Sequence, residues 1–177
     1  KSVKPWVQFG ISPFGVWRNK TDDQRGSNTN AGQTNYDNLY ADVLYWMKNG
    51  WLDYVLPQAY WRIGHDKVDY KTIVQWWADN SFGTNLYIGH ALYRLGSKNE
   101  DPAWNIKNPT QIQGQLDFNK SISNVKGSVF FSAKSFLKDP LKINQILEEK
   151  YFHNPVLQPI ANKKEKFTHQ PVRNVKL

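Results

Sequence analysis

Apolar positions along this chain switch repeatedly between short continuous runs and the three-and-four spacing of a helix. Val7-Gln8-Phe9-Gly10-Ile11-Ser12 is the first strand-like run, and it ends in Pro13-Phe14-Gly15-Val16-Trp17-Arg18. From Asn19 to Thr34 the chain is polar and without period, and a loop of that length inside a compact domain reads as functional. Tyr36, Leu39, Tyr40, Val43, Leu44 and Met47 then recur at helical spacing, predicting one helix. Thr34 followed by Asp37 resembles a capping box at its start, and Asn49-Gly50 closes it. The second run, Asp53-Tyr54-Val55-Leu56-Pro57-Gln58-Ala59-Tyr60-Trp61, is apolar at first and turns polar and aromatic at its C-terminal end. With helical patterns on both sides, it reads as a strand buried on both faces.

Asp69 is placed to cap the next helix, whose apolar side is Ile73, Val74, Trp76 and Trp77. Asn85-Leu86-Tyr87-Ile88-Gly89-His90-Ala91-Leu92-Tyr93 is the third strand, followed by a loop from Arg94 to Lys107 that carries Glu100, Asp101 and Trp104. Asn108-Pro109-Thr110-Gln111 is a helix start, with Asn as cap and Pro in the first turn, and the helix runs through Ile112, Leu116 and Ile122 to about Asn124. Gly127-Ser128-Val129-Phe130-Phe131-Ser132 is the fourth strand. Asp139-Pro140 opens a last helix through Ile143, Ile146 and Leu147. Residues 1–153 therefore read as the folded unit, and 154–177, rich in Pro, Lys and Asn, as a tail or linker to a following domain. The order is β-α four times over, with no internal sequence repeat. That predicts an α/β fold with a parallel sheet, either a small open sheet or half of an eight-stranded β/α barrel. Both place ligands at the C-terminal ends of the strands.

Those ends collect Ser12, Phe14, Trp17 and Arg18, then Gln58, Tyr60 and Trp61, then His90, Tyr93 and Arg94, and finally Ser132 and Lys134. With 8 Trp and 9 Tyr in 177 residues, the aromatics exceed what a core alone requires. Aromatic faces stack on the C–H face of a sugar ring, while Gln, His, Arg and Lys donate to hydroxyls or to a charged substituent. Trp17, Arg18, Gln58, Tyr60, Trp61, His90, Tyr93, Ser132 and Lys134 are thus the candidate substrate-binding residues, and a polysaccharide or oligosaccharide is the candidate partner. The competing reading makes Tyr60 and Trp61 core aromatics, His90 a hydrogen-bonded core histidine and Ser132 an ordinary strand-end residue.

Glycoside hydrolysis ordinarily needs two carboxyl groups about 5 to 10 Å apart. None of the four strands ends in Asp or Glu; Asp53 lies at the opposite end of its strand and reads as a cap or turn residue. Glu100 and Asp101, in the loop after the third strand, are the remaining catalytic candidates, ahead of Asp22, Asp23 and Asp37. Other chemistries lack their residues. There is no cysteine, and histidines at 65, 90, 153 and 169 have no short metal-ligand spacing. No glycine-rich phosphate loop is present, and neither a metal nor a cofactor is expected. The formal charge of +8 permits a polyanionic partner. Its basic residues are scattered, however, and the one dense cluster, Lys163-Lys164-Glu165-Lys166, lies in the tail, so nucleic acid is not the expected partner. No apolar run is long enough for a transmembrane segment, and no signal peptide is evident. The chain begins at Lys1 almost directly on a strand, which reads as a piece of something longer.

At five blocks the sequence resembles the glycosyl-hydrolase-like 10 family. They are Phe9 to Asn19 (FGISPFGVWRN), Tyr36 to Asp42 (YDNLYAD), Gly50 to Trp61 (GWLDYVLPQAYW), Gly83 to Gly89 (GTNLYIG) and Gly127 to Ser132 (GSVFFS). The resemblance implies a bacterial, extracytoplasmic (β/α)8 TIM-barrel glycoside hydrolase, often followed by an immunoglobulin-like or fibronectin-like domain, with cell-wall glycan as one substrate class. It places the four strands here as barrel strands five to eight. It also implies that the catalytic aspartate, expected after strand four, lies upstream of Lys1 in a missing N-terminal half-barrel. A half-barrel leaves exposed sheet edges that invite self-association. The rival function is a non-catalytic carbohydrate-binding module.

Overall fold

The structure, a computed structural model, describes residues 7–97, 101–105 and 110–156. Among these residues, β1 (Gly10–Ile11), β2 (Tyr54–Val55), β3 (Asn85–His90) and β4 (Val125–Phe130) form a single sheet in the order β1-β2-β3-β4, every pair parallel. Helices α1 (Asn35–Leu39) and α2 (Val43–Lys48) connect β1 to β2, and α3 (Tyr70–Asp79) connects β2 to β3. Helices α4 (Pro102–Asn105) and α5 (Thr110–Lys120) connect β3 to β4, and α6 (Ala133–Lys138) and α7 (Ile143–Lys150) follow β4. This is the α/β fold that the alternating pattern predicts. Strands adjacent in sequence are adjacent in the sheet, a winding consistent with a half (β/α)8 unit.

β1 and β2 are short, yet their pairing continues past their ends through bridges from Phe14 to Gln58 and from Gln58 to Gly89. At the opposite end Asp53 accepts the Phe9 N–H at 2.7 Å and donates its own N–H to the Phe9 carbonyl at 2.7 Å, which ties the first two strands together. Residues of alternating parity face opposite ways. Val55, Leu86 and Ile88 are fully buried in a core shared with Val43, Met47, Ile73, Val74 and Trp77. The other face of the sheet carries Tyr54 and Tyr87, edge to face at 6.0 Å and only partly buried. A second core joins Leu92, Leu95 and Trp104 of the loop after β3 to Ile112 and Leu116 of α5 and to Ile143 and Leu147 of α7.

Several elements depart from the sequence reading. The single helix expected after the polar loop is broken at Tyr40, which adopts a left-handed φ of 52°. Thr34 caps α1 by accepting from Asp37 N, and Asp42 caps α2 by accepting from Tyr45 N, so a second cap competes with continuation. Tyr36, Leu39 and Tyr40 are exposed, so no burial holds the first turn in register with α2. β4 starts two residues early, and Ser132 does not end it but N-caps α6, a helix that the spacing did not predict. Helix α5 ends at Lys120, short of Asn124. Asp139 and Pro140 enter α7 through a 3-10 turn, with Asp139 accepting from Asn144 N at 2.9 Å. The expected cap at Asn108-Pro109, Glu100, and residues 157–177 of the tail lie outside the described residues. No helix among the described residues is long and apolar enough to cross a membrane.

Candidate functional site

Beyond the C-terminal ends of β2, β3 and β4, three aromatic side chains from three loops meet. Tyr60 lies 6.1 Å from Tyr93 and 6.2 Å from Phe131, and Tyr93 lies 6.0 Å from Phe131, ring centre to ring centre. Tyr93 is 44% exposed and Phe131 57% exposed, so the triangle presents ring surface to solvent. Partial burial raises the Tyr60 hydroxyl above its ordinary range, with Tyr93 adding a smaller push, so it stays a neutral donor and acceptor. Sequence reasoning named Tyr60 and Tyr93 but passed over Phe131. Strand alternation offered a signal: in the pair Phe130-Phe131, one ring must face away from the other. Phe130 turns inward, stacking on His90 at 5.0 Å and meeting Phe136 edge-on.

The main chain around Pro57 fixes Gln58 and the aromatics. The Pro57 carbonyl accepts from both Ala59 N and Gly89 N at 3.0 Å, and Ala59 N also donates to the Gly89 carbonyl at 3.1 Å. Gln58 donates its backbone N–H to Pro13 O at 3.0 Å and its amide Nε2 to Ser12 O at 3.1 Å. Trp61 packs edge-on against Phe14 at 5.4 Å. Its ring and the Gln58 carbonyl both close on Gly15, where an added Cβ would come within 2.5 Å of each. Only glycine fits that approach. Trp77 Nε1 donates to the Gly15 carbonyl at 2.8 Å and locks the turn.

His90 is brought beneath this surface rather than onto it. It is 0% exposed. Gln115 donates its amide Nε2 to the Trp61 carbonyl at 3.1 Å, so its Oε1 is left to accept from His90 Nδ1 at 2.9 Å. Ser128 Oγ then donates to His90 Nε2 at 3.0 Å, with the Asn119 amide 3.4 Å away. Asn119 Oδ1 in turn accepts the Tyr70 hydroxyl at 2.9 Å. Partner assignment around this ring fixes the neutral Nδ1–H tautomer. Burial lowers the His90 pKa to about 4, against the smaller raising effect of Gln115, so the ring is uncharged at neutral pH. It is a satisfied core histidine, and its partners Gln115, Asn119 and Ser128 come from segments that pattern reasoning did not connect to it.

Trp17 and Arg18 also sit away from the aromatic triangle. Trp17 is 1% exposed and stacks on Trp76 at 5.8 Å. Arg18 grips Asp37 with two donors, at 2.6 and 3.0 Å, and Asp23 with a third at 3.0 Å, and it covers the Tyr36 ring at 4.6 Å. Its guanidinium holds the Asp37 carboxyl below the ordinary range, while Asp23 is lowered chiefly by Arg25. The long polar loop is thereby folded onto itself. Buried Asn19 completes it, accepting from Ala31 N at 2.8 Å and Thr29 Oγ1 at 3.0 Å and donating to the Ala31 carbonyl at 3.0 Å.

Asp101 accepts from Ala103 N at 2.9 Å and from Arg62 Nε at 2.6 Å. These bonds, the first the larger influence, hold its carboxyl below the usual range. A general acid needs the opposite shift, so this geometry suits a loop clamp. Ser132 and Lys134 border a cavity of about 390 Å³ whose wall includes Tyr93.

Comparison with known proteins bears on this edge. The family model described as glycosyl hydrolase-like 10 matches residues 1–106. "Glycosyl hydrolase YngK" of Bacillus subtilis strain 168 is 44% identical over 161 residues, covering 90% of this chain and 31% of that protein. "Glycosyl hydrolase DigH" of Escherichia coli K12 is 40% identical over 144 residues, covering 79% of this chain and 32% of that protein. The chain spans about a third of the length of these curated relatives. The matched segment, more than half of the 177 residues, includes β1, β2 and β3 with the loops that carry Gln58, Tyr60, Trp61 and Tyr93, and the chain belongs to the glycosyl hydrolase-like 10 family.

Proposed function

We propose that this chain is the substrate-binding half of a glycoside hydrolase, supplying barrel strands five to eight, and that it grips a polysaccharide through the aromatic triangle. The observation that carries the reading is the exposed Tyr60–Tyr93–Phe131 platform at the C-terminal edge of a parallel sheet. Beside it, Gln58 and Ser132 offer hydrogen bonds to hydroxyls, and Trp61 backs the loop. His90 supports the platform from the core, Trp17 packs in the core against Trp76, and Arg18 staples the loop after β1. The catalytic Asp belongs to a half-barrel encoded upstream of Lys1, which also covers the open face of the sheet; without it, self-association takes its place. The whole protein works outside the cytoplasm of a bacterium, on cell-wall or environmental glycan. Both relatives are named glycosyl hydrolases, which supports the reaction class.

Affinity electrophoresis of the 177-residue chain in gels containing soluble polysaccharides tests the binding role. Covering the exposed half of Phe131 is worth about half of the roughly 1.5–3 kcal/mol of full burial, so Phe131→Ala is expected to weaken binding roughly three- to twelvefold. Unchanged retardation of Phe131→Ala and Tyr60→Ala would overturn the platform. Release of reducing sugar by the chain alone would overturn the division of labour. An upstream coding segment of about 150 residues, with an Asp or Glu ending its fourth strand, is the expected genetic context. An upstream half without that acid would favour the alternative, a non-catalytic carbohydrate-binding module.

A further inference from the structure

The cavity between the ends of β3 and β4 has a composition that the aromatic platform lacks. Tyr93, Ser97, Ser132, Lys134, Ser135 and Lys138 line it, over a floor that includes Leu92 and Leu95. None of its lining residues is acidic. Lys134 and Lys138, four residues apart on α6, lie on one side of that helix, because positions i and i+4 are neighbours on a helix surface. Neither lysine forms an ion pair among the described residues, whereas Arg18, Arg25 and Arg62 all do. The Ser97, Ser132 and Ser135 hydroxyls likewise have no hydrogen-bond partner among the described residues, although Ser132 stands at an N-cap position. Two cations without an ion pair and three hydroxyls without a hydrogen bond among the described residues thus line one hollow. Its volume of about 390 Å³ falls in the range of small-molecule sites, about 300–1,000 Å³.

Tyr93 joins this hollow to the platform, since it both lines the cavity and touches Tyr60 and Phe131. A glycan lying on the three rings would therefore carry its neighbouring substituent into the cavity. We propose that the cavity is an anionic subsite that binds the carboxylate of an acidic sugar, with Lys134 and Lys138 supplying charge and the serines supplying directed hydrogen bonds. The proposal rests on the glycan-binding reading above and narrows its substrate class to carboxylate-bearing glycans. An ammonium ion is a compact donor that suits a carboxylate approached from several directions.

The test uses pairs of glycans that differ only in their carboxyl groups, with affinity measured by calorimetry on the 177-residue chain. One pair is oligogalacturonate and its methyl ester. The other is peptide-free cell-wall glycan, carrying lactyl carboxylates, and the same strands with those groups reduced. The charged member of at least one pair is expected to bind roughly tenfold or more tightly than its neutral partner, as charge-assisted hydrogen bonds imply. Whichever pair shows the gap identifies the acid as a hexuronate or a lactyl ether. Lys134→Ala with Lys138→Ala is expected to erase the gap while leaving the neutral member's affinity in place. Lys48→Ala, on α2 and away from the cavity lining, removes a charge without touching the site and is expected to preserve the gap. Both lysines of the double variant are exposed, so the core is undisturbed. Equal binding of both members overturns the anionic subsite but keeps the glycan reading. A gap that survives in the double variant also overturns it, assigning the preference to the overall +8 charge. If neither member of either pair binds, the subsite and the glycan reading fail together.

Discussion

Acid should destabilise this chain through His90 before it reaches the carboxylates. The folded ring titrates at about 4, against about 6.5 for an unperturbed histidine. Between those values the unfolded chain takes up a proton that the folded one refuses, so stability is fully present above about pH 6.5 and drains away as pH falls toward 4. The structure gives the reason. His90 is 0% exposed, and a second ring proton at Nε2 would displace the hydrogen donated by the Ser128 hydroxyl and face the Asn119 amide. Tyr70, packed 6.0 Å away, stays neutral because burial pushes its hydroxyl up, so it supplies no anion to balance an imidazolium. At about 1.4 kcal/mol per pH unit, the loss from neutrality to about pH 4.5 comes to roughly 2.5 kcal/mol. That is a large share of a typical stability of about 5–15 kcal/mol. Denaturant titrations followed by tryptophan fluorescence at pH 7, 6, 5 and 4.5 measure it, with His90→Gln as the variant that cannot titrate. The variant is expected to be weaker at neutral pH but flat across the window. If the unaltered chain loses less than about 1 kcal/mol, or if His90→Gln loses just as much, the reasoning fails. Asp37 and Asp101 are depressed by their partners, so their contribution is fully present above the ordinary carboxylate range and is lost chiefly below this window.

Two further substitutions probe how the loops are held. Gly15→Ala drives a methyl group against the Gln58 carbonyl and the Trp61 ring, and an overpacked site of that kind costs about 1–3 kcal/mol, read as a lower midpoint of thermal unfolding; a midpoint unchanged from that of the parent chain would show that the turn gives way freely. Asn19→Ala removes the acceptor of the part-buried Ala31 N–H and leaves the Thr29 hydroxyl only Ser27, at about 1–3 kcal/mol, and faster hydrogen exchange at Ala31 than in the parent chain would report it.

The β-α alternation was legible because each strand is a short apolar run bounded by polar turns, and each long helix carries its own cap, such as Asp69 accepting from Thr72 N at 2.9 Å. Tyr60 and Tyr93 were legible as edge residues because they follow the ends of their strands. His90 was ambiguous for a physical reason. Position at a strand end is local, whereas its burial is decided by Gln115 and Ser128, 25 and 38 residues away. The break at Tyr40 escaped notice because periodicity counts apolar residues without knowing that three of them face water. The same blindness hid Arg18 as a loop staple, since its two aspartates lie 5 and 19 residues on and no spacing rule links them.

The buried network and the exposed triangle form one construction. Phe131 N donates to the His90 carbonyl at 2.9 Å, and Tyr93 N donates to the Phe131 carbonyl at 3.3 Å. Gln115, held by the His90 ring, fixes the carbonyl of Trp61, the residue after Tyr60. All three aromatic loops are therefore tied to the core within two hydrogen bonds of one residue, Trp61 through the His90 ring and Gln115, and Phe131 and Tyr93 through the His90 backbone carbonyl. A platform held in this way loses little conformational freedom when a ligand settles on it, which is where loop-borne sites forfeit affinity. A sugar ring offers a weak, mostly apolar face to such a platform, so the gain from preorganisation is a large fraction of the whole. On the proposed glycan-binding reading, the polar residues of α5 would act through the core and not by touching the ligand. His90→Gln should then weaken retention of polysaccharide at neutral pH even where the chain remains folded.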